Sequence, residues 1–193
     1  MTDIQPSRLL PALFDNIDPD EKITVLNLGP ALPETIEFFC AYRCRLHITN
    51  IYSDLPFPVI DPDEQDESAL DAAMDEALFL AGNEQFDIVF FWDVINFMSQ
   101  DAITTLMAKL RPHLHEKSRA HGFAVHNAQT PAAMEYYGIA DQENLRVRRR
   151  SKLPSGYQPR LQGDLGQLLK YFVIDRSVLM QDRRVEILLK ARL

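Results

Sequence analysis

The chain has 193 residues, of which 46% are hydrophobic and 25% charged, and this predicts a single globular domain. Its net charge of −8 disfavours nucleic-acid binding, because proteins that neutralise phosphates carry excess positive charge. The charge is uneven, since residues 1–100 contain 4 basic and 19 acidic residues, whereas residues 101–193 contain 16 and 9. Glycine is scarce, with 7 residues against 12 prolines, which excludes collagen-like and glycine-rich linker sequences.

Targeting signals and metal-ligand patterns are absent from the sequence. The N-terminus has no basic segment followed by an apolar core, and no apolar run approaches the ~20 residues that span a bilayer. We therefore expect a cytoplasmic protein with no membrane partner. Cys40 and Cys44 do not make a disulfide framework, and no histidine stands at zinc spacing with a third ligand, so no metal site is predicted.

Short apolar runs and helical patterns alternate along the first two thirds of the chain. After a helical extension within residues 1–22, the predicted elements are a strand at Ile23–Leu28, a helix at Pro33–Arg43, a strand at Leu46–Tyr52, a helix beginning at Ser68, a strand at Asp87–Trp92, a helix at Ser99–Arg111 and a strand at Phe123–Asn127. This alternation predicts an α/β fold with a parallel sheet and helices on both faces.

The last third of the chain has a different pattern. A small hairpin or lid is predicted within residues 136–160, and a weak helix near Arg160–Lys170. Tyr171–Met180 and Val185–Leu193 are predicted to be two long strands separated by four residues. A connection that short requires an antiparallel pair.

This order of elements resembles class I S-adenosylmethionine-dependent methyltransferases, over about Ile23 to Leu193. Ile23-Thr-Val-Leu-Asn-Leu-Gly29 is similar to that family's first strand and glycine turn, Phe86–Asp93 to its fourth strand, and Tyr171–Leu193 to its closing strand pair. The resemblance implies a Rossmann-like, mostly parallel sheet of seven strands, or slightly fewer, that ends in an antiparallel hairpin. A nicotinamide-binding Rossmann domain would instead continue with parallel strands.

The resemblance also implies where S-adenosylmethionine would bind. The matching positions are Asn27, Gly29, Pro30 and Ala31 in the first loop, Asn50 and Ile51 after the second strand, Asn83 before the fourth strand and Asp93 after it.

The glycine loop departs from the family's pattern, because Ala31 and Pro33 replace two of its three glycines. Pro30 and Pro33 lack the N–H groups that would receive the cofactor's carboxylate, and Glu34 adds a negative charge there. Two acids of the pattern are replaced by Asn27 and Asn50, and an amide has a single carbonyl acceptor for the ribose hydroxyls.

The substrate side of the cleft would be formed by residues after the fourth strand and by a basic segment. Asp93 could orient or deprotonate a substrate, with Trp92 and Asn96 facing it, although Asp93 could instead cap a turn while Trp92 packs in the core. Arg146, Arg148, Arg149 and Arg150 could contact an anionic substrate or an acidic partner, or form the solvated face of a hairpin.

Three functions remain open from the sequence. The first is an S-adenosylmethionine-dependent methyltransferase whose small-molecule or protein acceptor is unknown. The second is a catalytically inactive pseudo-methyltransferase that has lost the cofactor and binds a protein partner or a second copy of itself. The third is a nucleotide- or RNA-binding module that uses tyrosines near the basic segment for stacking.

Overall fold

A computed structural model describes residues 2–15, 17–18, 20–60, 68–80 and 82–193. In chain order its helices and strands are β1 (Thr2–Pro6), α1 (Leu10–Phe14), β2 (Ile23–Asn27), α2 (Pro33–Cys40), β3 (Cys44–Ile48), α3 (Ser68–Leu78), β4 (Phe86–Trp92), α4 (Gln100–Leu110), β5 (Leu114–Val125), β6 (Glu135–Ile139), β7 (Asn144–Arg149), α5 (Gln162–Leu168), β8 (Phe172–Leu179) and β9 (Arg184–Ala191).

The main sheet has six strands in the order β3-β2-β4-β5-β9-β8. Strands β3, β2, β4 and β5 are parallel, and β9 and β8 add antiparallel pairing at one edge. The predicted α/β, Rossmann-like fold with a closing antiparallel hairpin is therefore confirmed. Within the described residues no strand precedes β4 after α3, so the sheet is the slightly reduced form, and Asn83 lies in a turn.

The central elements form where the sequence predicts them because their apolar patterns are unambiguous. In β4 every residue except Asp87 is buried, as expected for a strand covered on both faces. Helix α4 begins where the Ser99 hydroxyl accepts a hydrogen bond from the Ala102 N–H at 3.1 Å. Its inward residues are all buried, namely Ile103, Leu106, Met107 and Leu110.

A second sheet of three antiparallel strands has the order β1-β7-β6. The β6–β7 hairpin is confirmed, and the N-terminal extension contains a strand, β1, in addition to the predicted helix. Residues 2–6 are extended because they pair with β7, from Thr2 opposite Arg148 to Pro6 opposite Asn144. The helical part of the extension is α1, where the Ser7 hydroxyl accepts from the Leu10 N–H at 2.9 Å.

Strand β5 and helix α2 differ in length from their predictions. Strand β5 has 12 residues where the sequence predicts five. It begins at Leu114, opposite Phe86 of β4, and its residues 119–122 pair with both β4 and β9. Helix α2 ends at Cys40, before the predicted end at Arg43, and Cys44 lies in β3. The buried residues of α2 are Thr35 and Phe39.

The helices of the described segments are all too short to cross a bilayer, the longest having 11 residues.

Candidate functional site

The carboxyl ends of β2, β3 and β4 meet at one edge of the main sheet, which is where open α/β folds bind ligands. Gly29 follows β2, Asn50 follows β3, and Trp92 and Asp93 end β4. The β6–β7 hairpin and Arg150, directly after it, lie against the same edge. The side chains that meet here decide whether the edge can hold a ligand.

The indole of Trp92 occupies the space next to Gly29. An ideal Cβ built on Gly29 would lie 2.7 Å from Trp92 Cδ1, so the ring packs directly on the glycine backbone. Trp92 is 1% exposed, and its ring stacks on Phe90 and on Tyr137 with centroids 4.9 and 6.1 Å apart. Its φ of +49° is uncommon for a bulky residue, and it turns the chain where β4 ends.

The amide of Asn27 is used entirely within the protein. Its Oδ1 accepts a hydrogen bond from Trp92 Nε1 at 2.5 Å, and its Nδ2 donates to the carbonyls of Gly29 at 3.1 Å and Pro30 at 3.2 Å. Asn27 is buried, whereas Pro30 is half-buried and Ala31 exposed. The loop that would cradle a cofactor is therefore tied to its own strand and to the indole.

Asp93 holds a buried ion pair instead of facing a cleft. Arg150 Nη2 lies 2.6 Å from Asp93 Oδ1, with both side chains almost fully buried, and the Tyr52 hydroxyl donates to the same oxygen. The guanidinium carbon of Arg150 lies 4.3 Å from the Tyr52 ring centroid and 4.8 Å from that of Tyr136. Two aromatic faces and a carboxylate therefore enclose this cation.

Burial dominates the electrostatics of this group. It raises the pKa of Asp93 above 3.8, although Arg150 and the Tyr52 hydroxyl act in the opposite direction. Burial and the neighbouring Asp93 charge raise the pKa of Tyr52 well above 10. The tyrosine therefore remains a hydrogen-bond donor to Asp93 at neutral pH.

The β6–β7 hairpin is fastened to the first turn of α2. An ideal Cβ on Gly138 would lie 2.6 Å from Thr35 Oγ1, and the Ile139 N–H donates to that hydroxyl at 3.0 Å. Arg148 Nη2 lies 2.6 Å from Glu34 Oε1, and Arg146 Nε lies 3.6 Å from it. Burial raises the pKa of Glu34, but the two arginines overcome that effect and the net pKa is below 4.5.

Most arginines of the predicted basic segment therefore form contacts within the protein. Arg146 and Arg148 pair with Glu34, and Arg150 is buried on Asp93. Only Arg149 of this group is exposed. The prediction of a solvated or substrate-facing cluster is wrong for Arg150, because aromatic rings and a carboxylate from three other elements surround it.

The remaining predicted residues do not converge on a common ligand site. Ile51 is fully buried and Asn83 is exposed. Asn50 adopts a φ of +43°, and its buried Oδ1 has no hydrogen-bond partner among the described residues. Asn96 is buried and structural, because its Nδ2 donates to the Phe123 carbonyl at 2.8 Å and its Oδ1 accepts from the Arg160 N–H at 2.9 Å.

Among the described residues, the cavity that lies beside Asp93 is too small for a cofactor. The cavity that touches Asp93 and Asn96 has a volume of about 10 Å³, enough for about one water molecule, whereas small-molecule sites usually measure ~300–1,000 Å³. Within the described part of the chain, no three His, Cys, Asp or Glu side chains are grouped so that they could bind a metal ion.

Sequence reasoning missed Tyr52 and a second buried network. In that network His121 Nε2 lies 2.8 Å from Glu186 Oε1, to which the Ser7 hydroxyl also donates. Glu186 stands between the apolar residues Val185 and Ile187 of β9, and that pattern could have indicated a buried, partnered carboxylate. Nothing local in the sequence indicates that Tyr52 would meet Arg150.

Comparison with solved structures identifies the fold. The chain is similar to the 1,6-didemethyltoxoflavin-N1-methyltransferase of Burkholderia thailandensis, a structure that contains S-adenosylhomocysteine, with a TM-score of 0.55 and 14% identity over 96% of this chain and 78% of that one. It is also similar to an S-adenosylmethionine-dependent methyltransferase of Clostridium acetobutylicum, with a TM-score of 0.53 and 12% identity over 94% and 88% of the two chains. No protein-family model and no curated protein sequence matches. The chain has the class I methyltransferase fold.

The residues at this edge do not fit the cofactor that the fold implies. The indole of Trp92 covers the backbone of Gly29. The side-chain amide of Asn27 already forms hydrogen bonds with Trp92 and with the Gly29 carbonyl. Glu34 in the first turn of α2 is paired with Arg146 and Arg148 of β7. Asn50 Oδ1 is buried without a hydrogen-bond partner among the described residues, and a single acceptor does not make a cofactor site.

Proposed function

We propose that this protein is a non-catalytic binding module built on the methyltransferase fold, in which side chains have replaced S-adenosylmethionine. The observation that carries the proposal is the Trp92 indole, which packs on Gly29 and donates a hydrogen bond to Asn27. The fold is retained because it presents α2 and the β6–β7 hairpin as a rigid surface.

The energetic cost of opening the cleft supports this proposal. Truncating a buried aromatic side chain to alanine costs about 3–5 kcal/mol, and removing one partner of a buried ion pair such as Arg150–Asp93 costs about 3–5 kcal/mol. Displacing these groups from the cleft would forfeit contacts of that order. Even one such cost of about 4 kcal/mol would weaken a ligand's affinity about a thousandfold. A cofactor site of micromolar affinity would thereby bind only in the millimolar range.

Titration calorimetry with S-adenosylmethionine and with S-adenosylhomocysteine tests the proposal directly. We expect no saturable heat for either compound at low millimolar concentration. Saturable binding of S-adenosylhomocysteine to the unmodified chain at micromolar concentration would overturn the proposal, because Trp92 and Arg150 could not then be fixed occupants of the cleft.

The competing function is methyl transfer by a protein whose cleft opens. The observation that favours it is that β6–β7 is attached to α2 partly through ion pairs at Glu34, whose arginine partners are 24% and 39% exposed. Exposed ion pairs contribute little stability, about 0–1 kcal/mol each, so they could release the hairpin readily.

A variant that loosens the hairpin separates the two functions. Glu34→Gln removes both ion pairs, and Glu76→Gln, an exposed carboxylate on α3, is the matched control. If the chain is a closed methyltransferase, Glu34→Gln should bind S-adenosylhomocysteine and Glu76→Gln should not. Our proposal predicts that neither variant binds, because Trp92 and Arg150 still fill the cleft.

A further inference from the structure

A second concave surface lies beside the filled cleft, between α2 and the turn that joins β6 to β7. It is a groove of about 840 Å³, which is within the ~300–1,000 Å³ typical of ligand sites. One wall comes from the core fold and the other from the inserted hairpin. The groove adjoins the filled cleft at Glu34 and Arg146, which line it.

The floor of the groove is aromatic. Phe38 and Tyr42 stand one helical turn apart at the end of α2, with ring centroids 5.3 Å apart. The buried Phe14 stacks on Tyr42 at 6.1 Å, and the Tyr42 hydroxyl accepts from Gln142 Nε2 at 2.8 Å. Phe14 therefore supports the Tyr42 ring on its buried side, and Gln142 connects Tyr42 to the hairpin turn.

The rim of the groove is acidic and lacks compensating cations. Glu37, Asp141 and Glu143 are exposed carboxylates that line it, and they take part in none of the ion pairs found among the described residues. The one basic residue in the lining, Arg146, pairs with Glu34. The surplus of negative charge in residues 1–100 adds to the same field.

We propose that this groove docks an arginine-bearing segment of a partner protein, an inference that rests on the proposed non-catalytic role and specifies its partner. A guanidinium stacks on aromatic faces and also pairs with carboxylates through two N–H groups. The floor of Phe38 and Tyr42 and the carboxylate of Glu37 offer both interactions side by side. The groove would repel polyanions such as nucleic acid.

Because the groove lies between α2 and the β6–β7 turn, a docked segment would affect the position of the hairpin. A ligand that contacts both α2 and the β6–β7 turn binds only while the hairpin lies on α2. It therefore stabilises that closed arrangement by mass action. The groove and the filled cleft would then act together, with the cleft residues keeping the groove's two walls in register.

Nuclear magnetic resonance of the ¹⁵N-labelled chain tests the proposal, with N-acetyl-arginine methylamide as the probe and N-acetyl-glutamate methylamide as the control ligand. We expect saturable shifts from the arginine probe at backbone amides of residues 37–42 and 140–144, and none from the glutamate compound. Shifts spread evenly over the acidic surface, or an absence of shifts at these amides, would overturn the proposal.

Two matched variants sharpen the experiment. Glu37→Gln should weaken arginine binding about threefold, the loss expected for one exposed ion pair, while Glu76→Gln removes the same charge outside the groove and should leave the affinity unchanged. Equal effects of the two variants would show that the probe senses net charge only. The calorimetric result with S-adenosylhomocysteine is independent, so a failure of either proposal is recognised separately.

Discussion

Replacing Arg150 with methionine tests whether the cleft is filled by a truly desolvated ion pair. Methionine keeps most of the unbranched side-chain volume, so the change removes the charge while it leaves only a small cavity. It also leaves Asp93 buried with the Tyr52 hydroxyl as its remaining donor. Removing one partner of a buried pair costs about 3–5 kcal/mol, because the other charge stays in a low-dielectric site.

Urea unfolding measures this cost conveniently, since the chain has a single tryptophan, Trp92, in the same cluster. With a slope of about 2 kcal/mol per molar urea for a domain of this size, a loss of about 4 kcal/mol lowers the midpoint by about 2 M. Arg149→Met is the matched control, because Arg149 is exposed and should change the unfolding free energy by less than about 0.5 kcal/mol.

The double variant Asp93→Asn with Arg150→Met completes the cycle. It removes both charges, so we expect it to recover most of the loss, as seen when buried ion pairs are replaced together by neutral groups. A loss below about 1 kcal/mol for Arg150→Met alone, or a double variant as unstable as the single one, would refute the assignment of a fixed, desolvated Arg150.

Two further predictions concern titratable groups outside the cleft. Burial raises the pKa of Glu186, but hydrogen bonds from His121 and Ser7 lower it more, so its net pKa lies below 4.5; the stability it contributes is present above that value and lost as the pH falls through the folded pKa. Thermal midpoints measured between about pH 3 and pH 6 should therefore fall less steeply in Glu186→Gln than in the unmodified chain, and parallel profiles would contradict this. Burial, with the neighbouring Asp87 charge, raises the pKa of the Cys44 thiol to about 11, so at pH 8 its thiolate is about 100-fold rarer than for a thiol at 9.0. Mass spectrometry after brief iodoacetamide treatment should find the exposed Cys40 alkylated well before Cys44, and equal labelling would contradict the burial argument.

The edge of the main sheet at Asp93 and the acidic groove both involve the β6–β7 hairpin. On one face Arg148 reaches Glu34, and just past the hairpin Arg150 reaches Asp93. Beyond the other end of β6, Asp141 and Gln142 form the turn that closes the groove over Tyr42. One segment therefore closes one surface of the fold and completes another.

Part of the architecture could be predicted because it depends on short-range patterns. The buried run of β4, the Ser99 cap of α4 and the short β8–β9 connection are each specified within a few residues, and together they define the order of the sheet. Strand β1 and the first half of β5 could not be predicted in this way. Their extended conformation depends on pairing with strands that are distant in sequence. Strand β1 pairs with β7, and β5 pairs with β4 at Leu114 and with both β4 and β9 from Arg119 onward.

The candidate site could likewise be predicted from the sequence only in part. The sequence alone determined that the glycine loop is depleted, that asparagines stand at two positions where the family has acids, and that Glu34 places a charge at the start of α2, because these are properties of residue type. Only the tertiary structure decided which side chains pack together at this edge of the sheet. Trp92 on Gly29, Arg150 between Asp93 and Tyr52, and the arginines on Glu34 are contacts between residues 57 to 114 positions apart or at a turned strand end. Whether such side chains fill a cleft or face solvent depends on how the hairpin packs, which no local pattern encodes.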